Sequence, residues 1–173
     1  MSNTNFITQL QRPHLADITP YQSARRSMSG GSVWLNANEA PQTPAFPEQE
    51  NWNRYPSFQS TVLNQAYADY AGVGLEHVLS SRGSDEAIEL LIRSFCEPRE
   101  DAVMITTPTY GMYAISAATH GADVVDCPLQ KADDGSLQLD VETMVARVRD
   151  TSTSRVKLIF VCSPSNPLGN EVD

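Results

Sequence analysis

The chain is short of positive charge: 12 Lys and Arg stand against 21 Asp and Glu, a formal net charge of -9. Phosphate contacts need a basic face, so this balance argues against a nucleic-acid partner. Cysteine and histidine are scarce too. Cys96, Cys127 and Cys162 lie far apart, form no Cys-x-x-Cys pair and sit beside apolar residues, as reduced core thiols do. His14, His77 and His120 have no second histidine or cysteine at ligand spacing, so no metal site is expected. No apolar run is long enough for a signal peptide or a bilayer span. The expectation is a soluble cytoplasmic protein with no membrane partner. Internal repeats and low-complexity tracts are missing, and lysine occurs only at Lys131 and Lys157.

What is present divides near residue 58. Residues 1–58 have no sustained periodicity and carry Pro13, Pro20, Pro41, Pro44, Pro47 and Pro56, which reads as an arm and linker. Their only strand candidate is Ser32–Asn36. Residues 59–173 are regular. Val62, Leu63, Ala66, Tyr67 and Tyr70 recur at helical spacing before Gly72, and His77–Ser80 reads as a short strand. Ala87, Ile88, Leu91, Ile92 and Phe95 mark a second helix, Ala102–Thr106 a strand, Tyr110–His120 a helix stopped by Gly121, and Asp123–Cys127 a strand. Asp140 is placed to cap a helix carrying Val141, Met144, Val145 and Val148, and Val156–Val161 is the last strand. This alternation predicts an α/β fold, a three-layer arrangement of mostly parallel strands with flanking helices.

Three polar constellations follow or precede these elements. Ser81-Arg82-Gly83-Ser84-Asp85-Glu86 opens a helix with a glycine and free amides, a shape that suits a phosphate dianion and is equally an ordinary helix cap. The charges of Asp85 and Glu86 would repel that dianion unless their side chains turn away. Thr107-Pro108-Thr109-Tyr110-Gly111-Met112-Tyr113 sets Tyr110 at a helix start, where it stacks on a planar ring or simply packs. Ser163-Pro164-Ser165-Asn166-Pro167 ends the last strand with an amide, which reads as a ring contact or a surface turn. In a parallel sheet all such strand ends point to one side, so their joint occurrence favours a ligand site.

In these residues, and in Thr19-Pro20-Tyr21-Gln22-Ser23-Ala24-Arg25-Arg26, Trp34-Leu35-Asn36-Ala37-Asn38-Glu39 and Asn53-Arg54-Tyr55-Pro56, the chain resembles the histidinol-phosphate aminotransferases. These are pyridoxal-phosphate enzymes of fold type I in histidine biosynthesis. The resemblance covers nearly the whole chain but about half of a family member. It implies an exchange of an amino group in which L-histidinol phosphate and 2-oxoglutarate give imidazole-acetol phosphate and L-glutamate. It implies that residues 59–173 are the first part of a cofactor-binding large domain in a homodimer. Ser84 and Asp85 would bind the cofactor phosphate through their backbone, Tyr110 would stack on the ring, and Asn166 would hydrogen-bond its phenolic oxygen. Tyr55 would reach the phosphate in the other subunit, while Tyr21 and Asn36 would serve the substrate.

Two departures stand against this. The family usually has Asn where Ser165 stands and Thr where Leu168 stands. The chain also carries no counterpart of the lysine that holds the cofactor aldehyde as a Schiff base, nor of the acid opposite the pyridine nitrogen. Lys131 falls in a polar loop and Lys157 near a strand start. The expectation is a polypeptide cut short before its lysine, inactive alone, with apolar surface and a strand edge exposed. A non-catalytic dimerisation fragment, or part of another fold type I aminotransferase or decarboxylase, is the alternative.

Overall fold

The computed structural model describes residues 3–23, 32–35, 37–43 and 53–172, with side chains from residue 6 onward. The helices are α1 (Asn3–Leu10), α2 (Thr61–Ala71), α3 (Ser84–Phe95), α4 (Met112–His120) and α5 (Val141–Arg149). The strands are β1 (Asp101–Ile105), β2 (Asp123–Asp126), β3 (Gln130–Lys131), β4 (Leu137–Gln138) and β5 (Arg155–Phe160). Two compact units result, one of residues 1–18 with 81–173 and one of residues 19–80. The sequence divides instead near residue 58.

In the first unit β1 lies between β2 and β5, parallel to both, with Met104 opposite Val125 and Ile159. Every residue of β1 is buried, as a central parallel strand requires. Alternation along it separates two cores. Val103 and Ile105 pack with Ile88, Ile92, Cys96 and Ala117 of the α3 and α4 layer, whereas Met104 packs with Cys127 and Met144 of the α5 side. The predicted three-layer α/β architecture is the one observed. Asp140 caps α5, accepting from the Thr143 amide at 3.0 Å, and Gly72 and Gly121 stop α2 and α4 in the left-handed region.

The amino-terminal segment belongs to this unit because Arg12 ties it down. Its amide donates to Ser94 O and its Nη1 to Arg93 O, both at 3.0 Å, in the last turn of α3. Its Nε and Nη2 grip the Glu97 carboxylate at 3.0 and 3.1 Å. Helix α1 itself leaves Phe6 and Ile7 exposed.

Two predicted strands are absent. Ser32–Leu35 carry no ladder, with Val33 and Leu35 exposed, and Asn36 lies outside the described residues. Residues 78–80 are extended but unpaired after a 3-10 turn at Leu75–His77. Gln59 takes the place of a neighbouring strand there: its Oε1 accepts the Ser80 amide at 2.8 Å and its Nε2 donates to Ser80 O at 3.0 Å. Helix α2 also turns differently from its apolar pattern. It buries Asn64 and Ala68, with Asn64 bonded to Gln59 at 3.1 Å and to Ser80, and leaves Val62, Leu63, Tyr67 and Tyr70 exposed.

Candidate functional site

At the start of α3 the chain bends at Gly83, whose φ of 83° and ψ of 172° lie where side chains are strained. A Cβ there would meet no atom within 4 Å, so the cradle needs glycine for its backbone rather than for space. No side chain of the N-cap bonds the first amides of the helix, and these amides are the donors a helix offers an anion. Glu86 reaches back instead. Its carboxylate accepts from the Arg82 amide at 2.6 Å and from Arg82 Nε and Nη2 at 2.9 and 2.6 Å. These bonds hold the Glu86 carboxyl below its ordinary range and raise the Arg82 guanidinium. One of the two charges that would oppose a phosphate is thus matched by an arginine.

The other acid turns to the ring. Tyr110 Oη donates to Asp85 Oδ1 at 2.9 Å, and that bond, with burial behind it, pushes the phenol pKa up. Tyr110 meets Tyr113 edge to face, with centroids 5.7 Å apart at 85°. Tyr113 in turn lies flat on Phe160 at 4.8 Å and 8°. Burial raises the Tyr113 phenol as well, aided by the neighbouring Cys162 thiol. Cys162 Sγ accepts the Asn166 amide at 3.3 Å, and the turn beyond closes through Ser165 and Gly169 amides donating to Asn170 O and Ser165 O, both at 2.7 Å. At the carboxyl edge of the sheet Asp85 thus meets Tyr110, Tyr110 meets Tyr113, and Tyr113 meets Phe160, the last residue of β5, which the Cys162 and Asn166 turn follows.

That edge also holds buried hydroxyl and amide oxygens with no partner: Thr109 Oγ1, Ser165 Oγ and Asn170 Oδ1. Buried polar atoms are nearly always satisfied, so orphans clustered at one edge mark a place for a ligand or water. Sequence reasoning missed Tyr113, Phe160 and Cys162. The spacing of three from Tyr110 to Tyr113 was a signal for the first. Cys162 is only half-buried, unlike the buried Cys96 and Cys127, so it is an edge group rather than the core thiol its neighbours indicated.

In the second unit Tyr55 donates its amide to Glu39 Oε1 at 2.7 Å, beside Arg54 Nη1 on Glu39 Oε2 at 2.7 Å. The segments around Glu39 and Tyr55 are thereby locked together. The Tyr55 and Tyr21 rings are exposed, and Asn36 falls among the residues not described. Lys131 stands on the small antiparallel hairpin of β3 and β4. Lys157 lines a hollow with Arg12, His14, Glu97, Asp101 and Arg155 at the amino end of the sheet. Among the described residues no group of three His, Cys, Asp or Glu side chains is arranged to hold a metal ion, and no helix is long and apolar enough to cross a membrane.

Residues 31–173 match the family model described as aminotransferase class I and II. The histidinol-phosphate aminotransferase 2 of Idiomarina loihiensis is 54% identical over 171 residues, 98% of this chain and 46% of that protein. The histidinol-phosphate aminotransferase of Pectobacterium carotovorum is 52% identical over 98% of this chain and 44% of its own length. Among solved structures, N-succinyldiaminopimelate aminotransferase from Mycobacterium tuberculosis aligns with a TM-score of 0.59 at 29% identity, over 70% of this chain and 32% of that one. The histidinol-phosphate aminotransferase from Clostridium acetobutylicum shares the fold at a TM-score of 0.51 and 23% identity, over 68% of this chain and 32% of that one. The chain spans just under half the length of the curated relatives it matches.

Proposed function

Because the chain belongs to the class I and II aminotransferases, we propose that it forms the amino-terminal part of a pyridoxal-phosphate enzyme that exchanges an amino group between L-histidinol phosphate and 2-oxoglutarate. The substrate assignment rests on the two relatives that share about half their aligned residues with it. The observation that carries the cofactor assignment is the run of contacts from Asp85 through Tyr110 and Tyr113 to Phe160 at the end of β5, which the Asn166 turn follows. The residues suit the group: a glycine cradle at an uncapped helix start, an aromatic ring beside it, and unpartnered hydroxyls at the same edge.

In this reading the amides of Ser84 and Asp85 hold the phosphate at the positive end of α3. The Tyr110 ring covers one face of the pyridine, and the Asn166 amide donates to the ring oxygen. Bound pyridoxal phosphate supplies an electron sink that no amino-acid side chain offers. Residues 1–58 act as arm and linker between the subunits of a homodimer, bringing Tyr55 and Tyr21 to a neighbouring site with Asn36, while residues 59–173 begin the large domain. The exposed apolar side of α2, with Val62, Leu63, Tyr67 and Tyr70, favours a second reading as a dimerisation segment.

Lys131 stands on the β3–β4 hairpin and Lys157 at the amino end of the sheet, and these 173 residues by themselves are expected to turn nothing over. Incubation with pyridoxal phosphate, then borohydride and peptide mapping, tests this. A stable label on Lys131 or Lys157 together with turnover would overturn it. Co-expression with the carboxyl-terminal remainder of the Idiomarina relative is expected to restore histidinol-phosphate transamination, and complementation separates the enzyme from the dimerisation segment.

A further inference from the structure

Asp85 presents a puzzle that the cofactor reading does not absorb. It is the second residue of a helix whose first amides have no side-chain cap, and a carboxylate there would oppose a dianionic ligand. Glu86 is neutralised by Arg82 at 2.6 Å. The Asp85 carboxylate instead accepts a hydrogen bond from a phenol at 2.9 Å, across 25 residues of sequence. A phenol does not cancel the charge, so what the bond contributes is geometry: a hydroxyl bonded to an ionised carboxylate is held more strongly than one bonded to a neutral acceptor. The Tyr110 ring has two side-chain torsions. Its far end is tied to the first turn of α3, and its edge is buttressed by Tyr113, itself stacked on Phe160.

We propose that the Asp85 side chain is a positioning residue, which holds the far end of the Tyr110 ring at the first turn of α3 while Tyr113 packs against the ring, so that a planar heteroaromatic phosphate finds its stacking face already in place. This rests on the cofactor reading above and goes beyond it by giving the carboxylate a role separate from its backbone amide. Two probes separate geometry from charge, because inorganic phosphate has no ring to stack and pyridoxal phosphate has one.

In Asp85→Asn the charge is gone and the ring is held by a weaker neutral bond. Pyridoxal phosphate is expected to bind about tenfold more weakly to this variant, while inorganic phosphate binds as well as or better than to the unaltered chain. Tyr110→Phe is expected to show the same loss for pyridoxal phosphate, and Asp85→Asn added to it no further loss. Independently, the phenol titration at 295 nm, isolated as the difference from Tyr110→Phe, moves to lower pH in Asp85→Asn. If Asp85→Asn binds both probes more tightly, or the titration does not move, the carboxylate acts only as a charge and the proposal fails. Failure of the unaltered chain to bind pyridoxal phosphate sinks the cofactor reading and this proposal together; binding that Asp85→Asn leaves intact sinks this proposal alone.

Discussion

The two ends of the parallel sheet use polar groups in opposite ways. At the amino end the charges of Arg12, Glu97, Asp101 and Arg155 are matched. Asp101, 1% exposed, accepts Arg155 Nε at 2.8 Å and the Glu97 amide at 2.8 Å, and Glu97 in turn holds Arg12. Three segments distant in sequence are thereby fastened: the amino-terminal turn, the connection from α3 into β1, and the start of β5. At the carboxyl end, buried oxygens of Thr109, Ser165 and Asn170 have no partner, and the exception among the described residues, Ser116, lies on α4. An end whose charges are paired contributes stability, and an end whose polar groups wait contributes binding.

The largest effect expected from that contrast is on stability. Asp101→Ala leaves the Glu97 amide without its acceptor and releases the solvent-exposed Arg155, and stranding such a donor costs about 2 kcal/mol. A urea denaturation midpoint unchanged in this variant would mean that the amino end is not the fastened one. The second effect is chemical. Burial pushes the Cys96 thiol up to about 11 from an ordinary 9.0, which leaves roughly a hundredfold less thiolate than an unperturbed cysteine at the same pH. Burial also raises Cys127. A disulfide reagent is therefore expected to label the half-buried Cys162 first, with the buried Cys96 and Cys127 reacting only on unfolding. Equal labelling of all three in mass spectra would erase the distinction between edge and core.

The smallest effect concerns acid. Hydrogen bonds from Arg12 hold the Glu97 carboxyl below its ordinary value of 4.5. A group whose folded pKa is depressed contributes stability that is fully present above the unfolded value and is lost as pH falls through the folded one. Below about 4.5, amide exchange in residues 12–18 should therefore rise before exchange in β1 does. Arg12→Gln should abolish that acid dependence, since Glu97 then titrates ordinarily. Exchange that rises in both segments together would show that the amino-terminal turn is not separately latched.

Much of the sheet unit was legible because its pattern is strong. Ile88 and Ile92 recur at helical spacing and are buried where expected, β1 is a continuous apolar run, and Asp140 caps its helix. The misses have particular causes. Residues 78–80 look like a short strand, yet Gln59 satisfies the Ser80 backbone from the side. Helix α2 has an apolar stripe, but the hydrogen bonds of Asn64 turn the opposite side inward. In the site, Asp85, Tyr110 and Asn166 were each visible as residues at strand or helix ends, whereas Tyr113 and Cys162, which link them, looked like packing.

The sequence by itself determined which segments form α3, β1, α4, α5 and β5, and that three polar turns share one edge. Helical period and strand alternation depend on neighbours a few residues away, and parallel strands send their carboxyl ends to one side. Only the tertiary structure decided that Tyr110 meets Asp85, that Tyr113 lies on Phe160, and that Arg12 closes the opposite end on Glu97. Those pairings join groups tens of residues apart, so they follow from strand order, register and helix docking, which no local pattern encodes.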